Sequence, residues 1–177
     1  EKDERMDEEM KQGSESPKSQ ENEKSDSEEI KESPNSIQEA TEALAEMKYY
    51  VKKDEEDDQT YFLQIGTDKK FEFTNQKHYD KLGDRLCDWI QAYMVEELKM
   101  SKVMIPSKEE LSKGRAQAPI YMSEDWGQNT ERALVLIQGT GDVRSGYWAR
   151  SVCMNDTLEL GSMIPDIEFA RKNGFSC

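Results

Sequence analysis

The chain has 177 residues, 35% of them charged, and a formal net charge of −14 at pH 7. Residues 1–58 carry 21 acidic and 9 basic side chains, a charge of −12, whereas residues 59–177 carry 17 and 15, a charge of −2. This balance argues against broad binding to a nucleic-acid backbone, which needs clustered Lys and Arg. No run approaches the roughly 18 apolar residues of a membrane helix, so we expect no membrane partner.

The three cysteines are unpaired in number and far apart, and none forms a CxxC spacing: Cys87, Cys153 and Cys177. This pattern predicts free thiols in a reducing compartment. His78 is the single histidine, so the residues for a usual zinc site are missing from the sequence and we expect neither a metal nor a cofactor. The chain begins at Glu1 and ends three residues after a helix-stop signal, which leads us to expect a fragment at both ends.

The N-terminal region divides into two parts. Residues 1–35 are mainly Glu, Lys, Ser, Gln and Asp, and this composition predicts a disordered acidic segment. Residues 36–58 are predicted to be an amphipathic helix followed by an acidic linker. The helix begins with a capping box at Ser36 and extends to about Val51. Its stripe recurs at helical spacing: Ile37, Ala40, Leu44, Met47 and Val51. The acidic run 54–58 is interpreted as a solvated loop.

The globular region, 59–177, opens with two predicted elements. Tyr61–Ile65 alternates as a strand and is predicted to form a hairpin with Phe71–Phe73 across Gly66. A long core helix capped by Thr74 or Asn75 then extends to about Leu98. His78 in its first turn is expected at the surface rather than as a catalytic base, and Cys87 is expected to be inert packing.

Several strands and one further helix follow. Strands are predicted at 103–105, at 119–122 and, as a central strand buried on both faces, at Ala133–Ile137. Residues 107–117 are predicted to be a polar loop, and 148–154 a short helix or strand. A helix is predicted over 164–172 with a stop at Asn173-Gly174, and Phe175 begins another strand. The order predicts an incomplete α/β sheet entered by an antiparallel hairpin, with apolar strand edges that favour aggregation.

A glycine-rich loop follows the predicted central strand. Its start, Gly139-Thr140-Gly141, is either a simple strand-to-helix turn or a binding loop, since ligands bind just past the carboxyl ends of strands in open α/β sheets. Phosphate binding is rejected because GxGxxG needs a third glycine and a P-loop needs Lys-Ser/Thr. Backbone N–H groups of such a loop can instead form an oxyanion hole.

The loop and its flanks resemble a known family. The residues that carry the likeness are Ile120–Asp125, the run Leu134–Arg150 (LVLIQGTGDVRSGYWAR), and Gly161 through Pro165 and Gly174. They are similar to the argonaute-binding (Arb-type) domain family, which includes animal cotranscriptional regulators, a fungal argonaute chaperone subunit and a C-terminal extension of some histone deacetylases. The likeness covers roughly residues 48–177, the N-terminal part of such a domain.

The resemblance implies an α/β-hydrolase-like fold, a location in the nucleus and also the cytoplasm, and argonaute-linked regulation through heterochromatin formation or alternative splicing. It implies protein partners such as argonaute or chromatin-splicing factors, with siRNA contacted only indirectly. The oxyanion-like positions are Gln138, Gly139, Thr140 and Gly141, where Gln138 and Thr140 replace the His and Ser usual in the family.

The sequence itself does not support catalysis. It has no GxSxG elbow and no histidine after Gly139, so we expect no enzyme activity from these residues. The alternative is a serine-hydrolase-like esterase whose nucleophile lies beyond Cys177, and a weaker one is a structural paralogue without binding. At the loop, Arg144, Trp148 and Arg150 are the candidate partner- or ligand-binding residues. Each also has a structural alternative: Trp148 in the core, and either arginine paired with Asp142 or Asp156.

Overall fold

The computed structural model describes residues 34, 36–107, 116–129, 131–141 and 143–177. The predicted disordered segment therefore lies outside the described residues apart from Pro34, as do most of the predicted polar loop 107–117 and Asp142. Within the described residues the fold is mixed α/β, with five helices and two small antiparallel sheets. The mixed α/β class is thus confirmed.

The first helix, α1 (Ile37–Glu46), begins as the sequence predicts. Ser36 is its N-cap, and the Ser36 hydroxyl accepts a hydrogen bond from the Glu39 N–H at 3.1 Å. The predicted end at Val51 is wrong, because Lys48 has φ 68° and turns the chain into strand β1 (Tyr49–Lys53). Val51 therefore belongs to a strand, and its four-residue distance from Met47 matches the helical spacing only by coincidence.

Strand β1 pairs antiparallel with β2 (Thr60–Gln64), with Val51 opposite Phe62. The acidic run 54–58 is the exposed turn between them. The predicted hairpin partner of β2, Phe71–Phe73, is corrected by this pairing. On its other edge, β2 has only an isolated bridge between Leu63 and Lys70.

The long helix α2 (Gln76–Glu96) is confirmed. Its N-cap is Asn75, whose side chain accepts a hydrogen bond from the His78 N–H at 2.9 Å. Its wide apolar face is the centre of the core: Leu82, Leu86, Cys87, Ile90 and Met94 are all buried. His78 is half-buried beside the Phe71 ring, with centroids 6.3 Å apart.

The second sheet pairs β3 (Met100–Ile105) antiparallel with β4 (Ala118–Ser123). Its hydrogen bonding continues beyond β4, because the Ser123 N–H donates to the Cys177 carbonyl at 2.7 Å. Ser176 in turn forms a parallel bridge with Ala133. The end of the chain therefore lies between β4 and the 133 segment, as expected of a strand beginning at Phe175.

The predicted central strand at Ala133–Ile137 is wrong as a strand buried on both faces. The segment has one bridge, at Ala133, and beyond it Val135 and Ile137 are 64% and 77% exposed. Leu134 and Leu136 are half-buried and pack against the core. Exposure alternates along the segment, so only one face is covered within the described part of the chain.

Three helices complete the fold: α3 (Arg150–Asn155), α4 (Leu158–Gly161) and α5 (Ile164–Lys172). Helix α5 matches its predicted bounds, with Pro165 in its first turn and Gly174 after it at φ 70°. The ambiguous segment 148–154 is helical from Arg150, and the sequence patterns do not predict the short α4. Among the described residues, no helix is long and apolar enough to cross a bilayer.

Candidate functional site

The glycine loop folds back along helix α2. Gly146 approaches that helix so closely that a Cβ at its position would lie 2.9 Å from Ile90 Cγ2. Gly146 also has φ 108°, a conformation that side chains other than hydrogen disfavour. Both the close approach and the backbone angle therefore require glycine here.

Tyr147, the next residue, is a buried contact with the helix. Its ring is 2% exposed, and its hydroxyl donates a hydrogen bond to the Gly83 carbonyl at 2.9 Å. Burial raises the pKa of Tyr147 well above its usual value, which keeps the phenol protonated as a donor. Tyr147 thus fixes the position of the loop along α2.

Arg144 lies on one side of this contact and is tied to the same helix. Its guanidinium donates to the Asp84 carbonyl at 2.8 Å, and also lies 3.3 Å from the Asp84 carboxylate. A second nitrogen lies 3.4 Å from the carboxylate of Asp88. Arg144 is therefore engaged within the chain and is not a clamp held open for an external anion.

Arg150 lies on the other side of Tyr147 and has equivalent contacts. Its guanidinium is 3.2 Å from the Asp80 carboxylate and stacks over the Tyr79 ring, 5.0 Å from the centroid. Its side chain crosses Gly83, where an added Cβ would clash with Arg150 Cδ. The small residue at position 83 is what allows this arginine to lie flat on the helix.

Together these contacts form what we name the loop brace, which consists of Arg144, Tyr147 and Arg150 on the loop and Asp80, Gly83, Asp84 and Asp88 on α2. The three aspartates recur every four residues, so they share one face of the helix. The loop residues recur every three positions along an irregular backbone. On one side of the Tyr147 contact Arg144 pairs with Asp84 and Asp88, and on the other side Arg150 pairs with Asp80.

At the buried end of the loop brace, the pKa values of Asp88 and of the neighbouring Cys87 are raised. Burial raises the pKa of Asp88, and the neighbouring Arg144 and Arg85 only partly oppose this effect. Burial likewise raises the pKa of Cys87 to about 12, so the thiol stays protonated at neutral pH. Cys87 and Gln91 both point to the Ser145 carbonyl, which accepts a hydrogen bond from the Gln91 amide at 2.9 Å. These features hold the loop and provide no activated nucleophile.

Trp148 differs from the other loop candidates because it is an aromatic side chain that is 38% exposed and has no contact with a carboxylate of α2 among those described. Its indole N–H donates to the Asp166 carboxylate at 2.8 Å, which orients the ring beside α5. Its backbone N–H donates to the Gly161 carbonyl at 2.8 Å. Trp148 is therefore an oriented aromatic side chain at the surface, and the alternative of a core tryptophan is wrong.

The oxyanion-like positions lie apart from the loop brace. Gly139, Thr140 and Gly141 are exposed, and Gln138 is half-buried at the edge of a groove. This groove has a volume of about 410 Å³ and is lined mostly by apolar side chains of β4 and of the extended segment 134–136. The Tyr121 hydroxyl is buried and has no hydrogen-bond partner among the described residues.

The described partners of the arginines are the aspartates of α2, and the predicted pairing with Asp156 is wrong. Asp156 lies 3.9 Å from Lys70 instead, and Asp142 lies outside the described residues. Local reasoning missed the α2 aspartates because they are 56 to 70 positions away from the arginines. A signal was nevertheless present, since Asp80, Asp84 and Asp88 recur every four residues on the side of the predicted helix opposite its apolar face.

No metal-binding group stands out in this part of the chain. In the described ranges, which omit 1–33, 35, 108–115, 130 and 142, no cluster of three His, Cys, Asp or Glu side chains could hold an ion. All three cysteines are buried as free thiols.

Comparisons with known proteins agree with the sequence resemblance. The family model of the Arb2 domain matches residues 41–177. A cotranscriptional regulator ARB2A homolog of Dictyostelium discoideum is 41% identical over 113 residues, which cover 63% of this chain and 28% of that protein. The human cotranscriptional regulator ARB2A is 35% identical over 101 residues, covering 57% and 24%.

A FAM172 family protein homolog of Caenorhabditis elegans is 34% identical over 138 residues, covering 75% of this chain and 41% of the worm protein. The chain thus spans about a quarter of the length of the first two relatives, at 28% and 24%. No solved structure is significantly similar to it.

Proposed function

We propose, from the premise that this chain belongs to the Arb2 domain family, that it is part of a nuclear regulator that acts by binding other proteins. A regulatory role is supported by the relatives that are named cotranscriptional regulators. The finer proposal is a role in argonaute-linked heterochromatin formation or alternative splicing, with argonaute or chromatin-splicing factors as partners. RNA would be reached through those proteins, and part of the population would be cytoplasmic.

One observation carries the proposal of a protein-binding role. Trp148 is an exposed aromatic side chain with a fixed orientation, whereas the guanidinium groups of Arg144 and Arg150 are paired with carboxylates of α2. Tryptophan is among the residues that contribute most to protein interfaces, because its large ring buries much area with few torsions to freeze. We therefore propose Trp148 as the contact with a partner.

The experiment is affinity capture of the tagged full-length protein from nuclear extract, with and without nuclease. The Trp148→Ala variant is compared with Phe169→Ala, since Phe169 is another exposed aromatic side chain, 59% accessible, on α5. We expect nuclease-resistant recovery of argonaute or splicing proteins that is lost in Trp148→Ala and kept in Phe169→Ala. Recovery that is equal in both variants would refute the role of Trp148. Melting temperatures of both variants check that the fold is intact.

A second candidate function rests on a different observation. Gly139–Gly141 are exposed and follow a segment whose Ala133 forms a parallel bridge with Ser176, and an oxyanion loop in an α/β-hydrolase-like sheet would likewise follow a strand. An esterase would need a nucleophile from sequence outside the 177 residues. Labelling of the full-length protein by a fluorophosphonate probe, together with no specific partner in the capture, would favour this alternative over the regulator.

A further inference from the structure

A cavity on the side of the molecule formed by the β1–β2 hairpin has no role in the proposed function. Its volume is about 300 Å³, and it is lined by β1, β2, α2, α4 and α5. The size is at the lower end of the range for ligand sites, enough for one long side chain or a small molecule. Five elements converge on it, so its walls are held by the core rather than by a loose loop.

One wall of the cavity is aromatic. Trp89 and Tyr93, four residues apart on α2, stack with ring centroids 5.4 Å apart and planes at 22°. The Trp89 indole N–H donates to the Thr41 hydroxyl at 3.1 Å, which fixes the orientation of the ring. An oriented pair of electron-rich rings attracts a cation that lies over a ring face.

The lining also has an excess of negative charge. The lining includes the carboxylates of Asp58, Glu159 and Glu168 and one ammonium, that of Lys53. The carboxylate of Glu159 is fixed in place by hydrogen bonds from the Thr60 N–H and hydroxyl, at 2.8 and 2.7 Å. Lys53 is already paired with Asp58 at 2.8 Å, so Glu159 and Glu168 leave the cavity with two uncompensated negative charges.

The carboxylates act on the pKa values of two groups in the lining. The pKa of Tyr93 is raised by burial first and then by Glu168 and Glu97. The pKa of Lys53 is raised mainly by Asp58, with further contributions from Glu159 and Glu168. The phenol and the ammonium lie on different elements, so the carboxylates act on the cavity as a whole.

We propose that this cavity binds an Arg or Lys side chain from a basic segment of a partner protein. The cation would lie over the Trp89–Tyr93 wall and face Glu159 and Glu168. A peptide fits better than a small amine because the exposed acidic turn 54–58 extends the negative surface past the cavity mouth. Further positive charges on the same peptide would meet that turn. The proposal does not depend on the Trp148 surface.

The test is fluorescence anisotropy of labelled 11-residue peptides with the full chain. The peptides share one neutral Gly/Ser sequence with three spaced residues that are all Arg, all Lys or all Gln. We expect the Arg and Lys peptides to bind, the Gln peptide to bind at least about tenfold more weakly, and the binding to weaken with salt.

Variants locate the binding. Glu168→Gln removes one carboxylate from the rim and is expected to weaken binding of the Arg peptide about three- to fivefold. Glu131→Gln, which removes the same charge at an exposed position outside the cavity, is its matched control and should bind as the unaltered chain does. Trp89→Leu should weaken binding of the Arg peptide by about fivefold, because the aromatic ring that contacts the cation is removed. The melting temperature of this variant checks that it is folded.

Four results would overturn the proposal. These are equal binding of the Gln and Arg peptides, equal effects of Glu168→Gln and Glu131→Gln, no binding of either cationic peptide, and self-association that buries Trp89 without peptide. None of them concerns Trp148 or nuclear capture, so failure here is distinguishable from failure of the proposed function.

Discussion

The Arg144→Met variant tests whether this arginine holds the fold or awaits an anion. Methionine keeps an unbranched stem and removes the guanidinium, so the side chain can no longer donate hydrogen bonds to Asp84 or pair with Asp88. Asp88 is 6% exposed, and without Arg144 its remaining cationic partner is Arg85 at 3.2 Å. A buried carboxylate that is deprived of a partner retains its desolvation penalty.

The expected destabilisation can be bounded from the exposure of the two groups. Exposed pairs contribute about 0.2–1 kcal/mol, whereas breaking a fully buried pair costs about 3–5 kcal/mol. Arg144 is 41% exposed while Asp88 is buried, and Arg85 remains, so the pair falls between these limits. We therefore expect Arg144→Met to lower the free energy of unfolding by about 2 kcal/mol. For a domain of this size that change corresponds to a melting temperature about 4–8 °C lower.

The measurement is thermal and urea unfolding of Arg144→Met, Asp88→Asn and the double variant. We expect a coupling energy of about 1 kcal/mol or more, because the two side chains interact directly. Lys52→Met is the control, since Lys52 is exposed on β1 and a surface change of that kind stays within about 0.5 kcal/mol. If Arg144→Met also stays within that limit, the arginine does not stabilise the loop brace and the case for a ligand clamp returns.

Three further predictions concern Gly146, Cys87 and Asp125. Gly146→Ala should lower the free energy of unfolding by about 2 kcal/mol or more, and Gly141→Ala by about 1 kcal/mol. Both glycines have positive φ, but only a side chain at position 146 would clash with Ile90. Urea unfolding measures both values, and equal values would contradict the close approach. Because the pKa of Cys87 is raised to about 12, iodoacetamide at pH 8 should modify this thiol in unfolded but not native protein, and stability should fall as pH rises from about 9 toward 12. Hydrogen bonds from the Ser123 and Ser176 hydroxyls lower the pKa of Asp125 in the folded chain. Its contribution to stability is therefore present above pH 3.8 and is lost as the pH falls through the lower folded pKa. Asp125→Asn should reduce the fall in melting temperature between about pH 5 and pH 2, and an unchanged fall would refute this contribution.

Local signals predict the helices well where capping and periodicity agree. The Asn75 cap and the wide apolar face locate α2, and Pro165 with Asn173-Gly174 locates α5 to the residue. The predicted end of α1 is wrong because Val51 satisfies the helical spacing while belonging to a strand. Nothing in the apolar pattern distinguishes the two, and the positive φ of Lys48 that separates them has no strong sequence signature.

Strand pairing is predicted less well, because an apolar run does not specify its partners. The alternation of Tyr61–Ile65 identifies β2 but not β1, whose residues continue the helical stripe of α1. The run Ala133–Ile137 has the pattern of a doubly buried strand, yet its burial depends on neighbours on both sides, and the described residues cover only one. Partner choice is a long-range property, whereas apolar periodicity is local.

Three residues of the run that carries the family resemblance belong to the loop brace. Arg144, Tyr147 and Arg150 each have a specific contact on α2, so their place in the motif has a structural explanation. It follows that binding must be sought at side chains that the brace leaves exposed, such as Trp148, and on surfaces remote from the motif, such as the aromatic and acidic cavity beside Trp89.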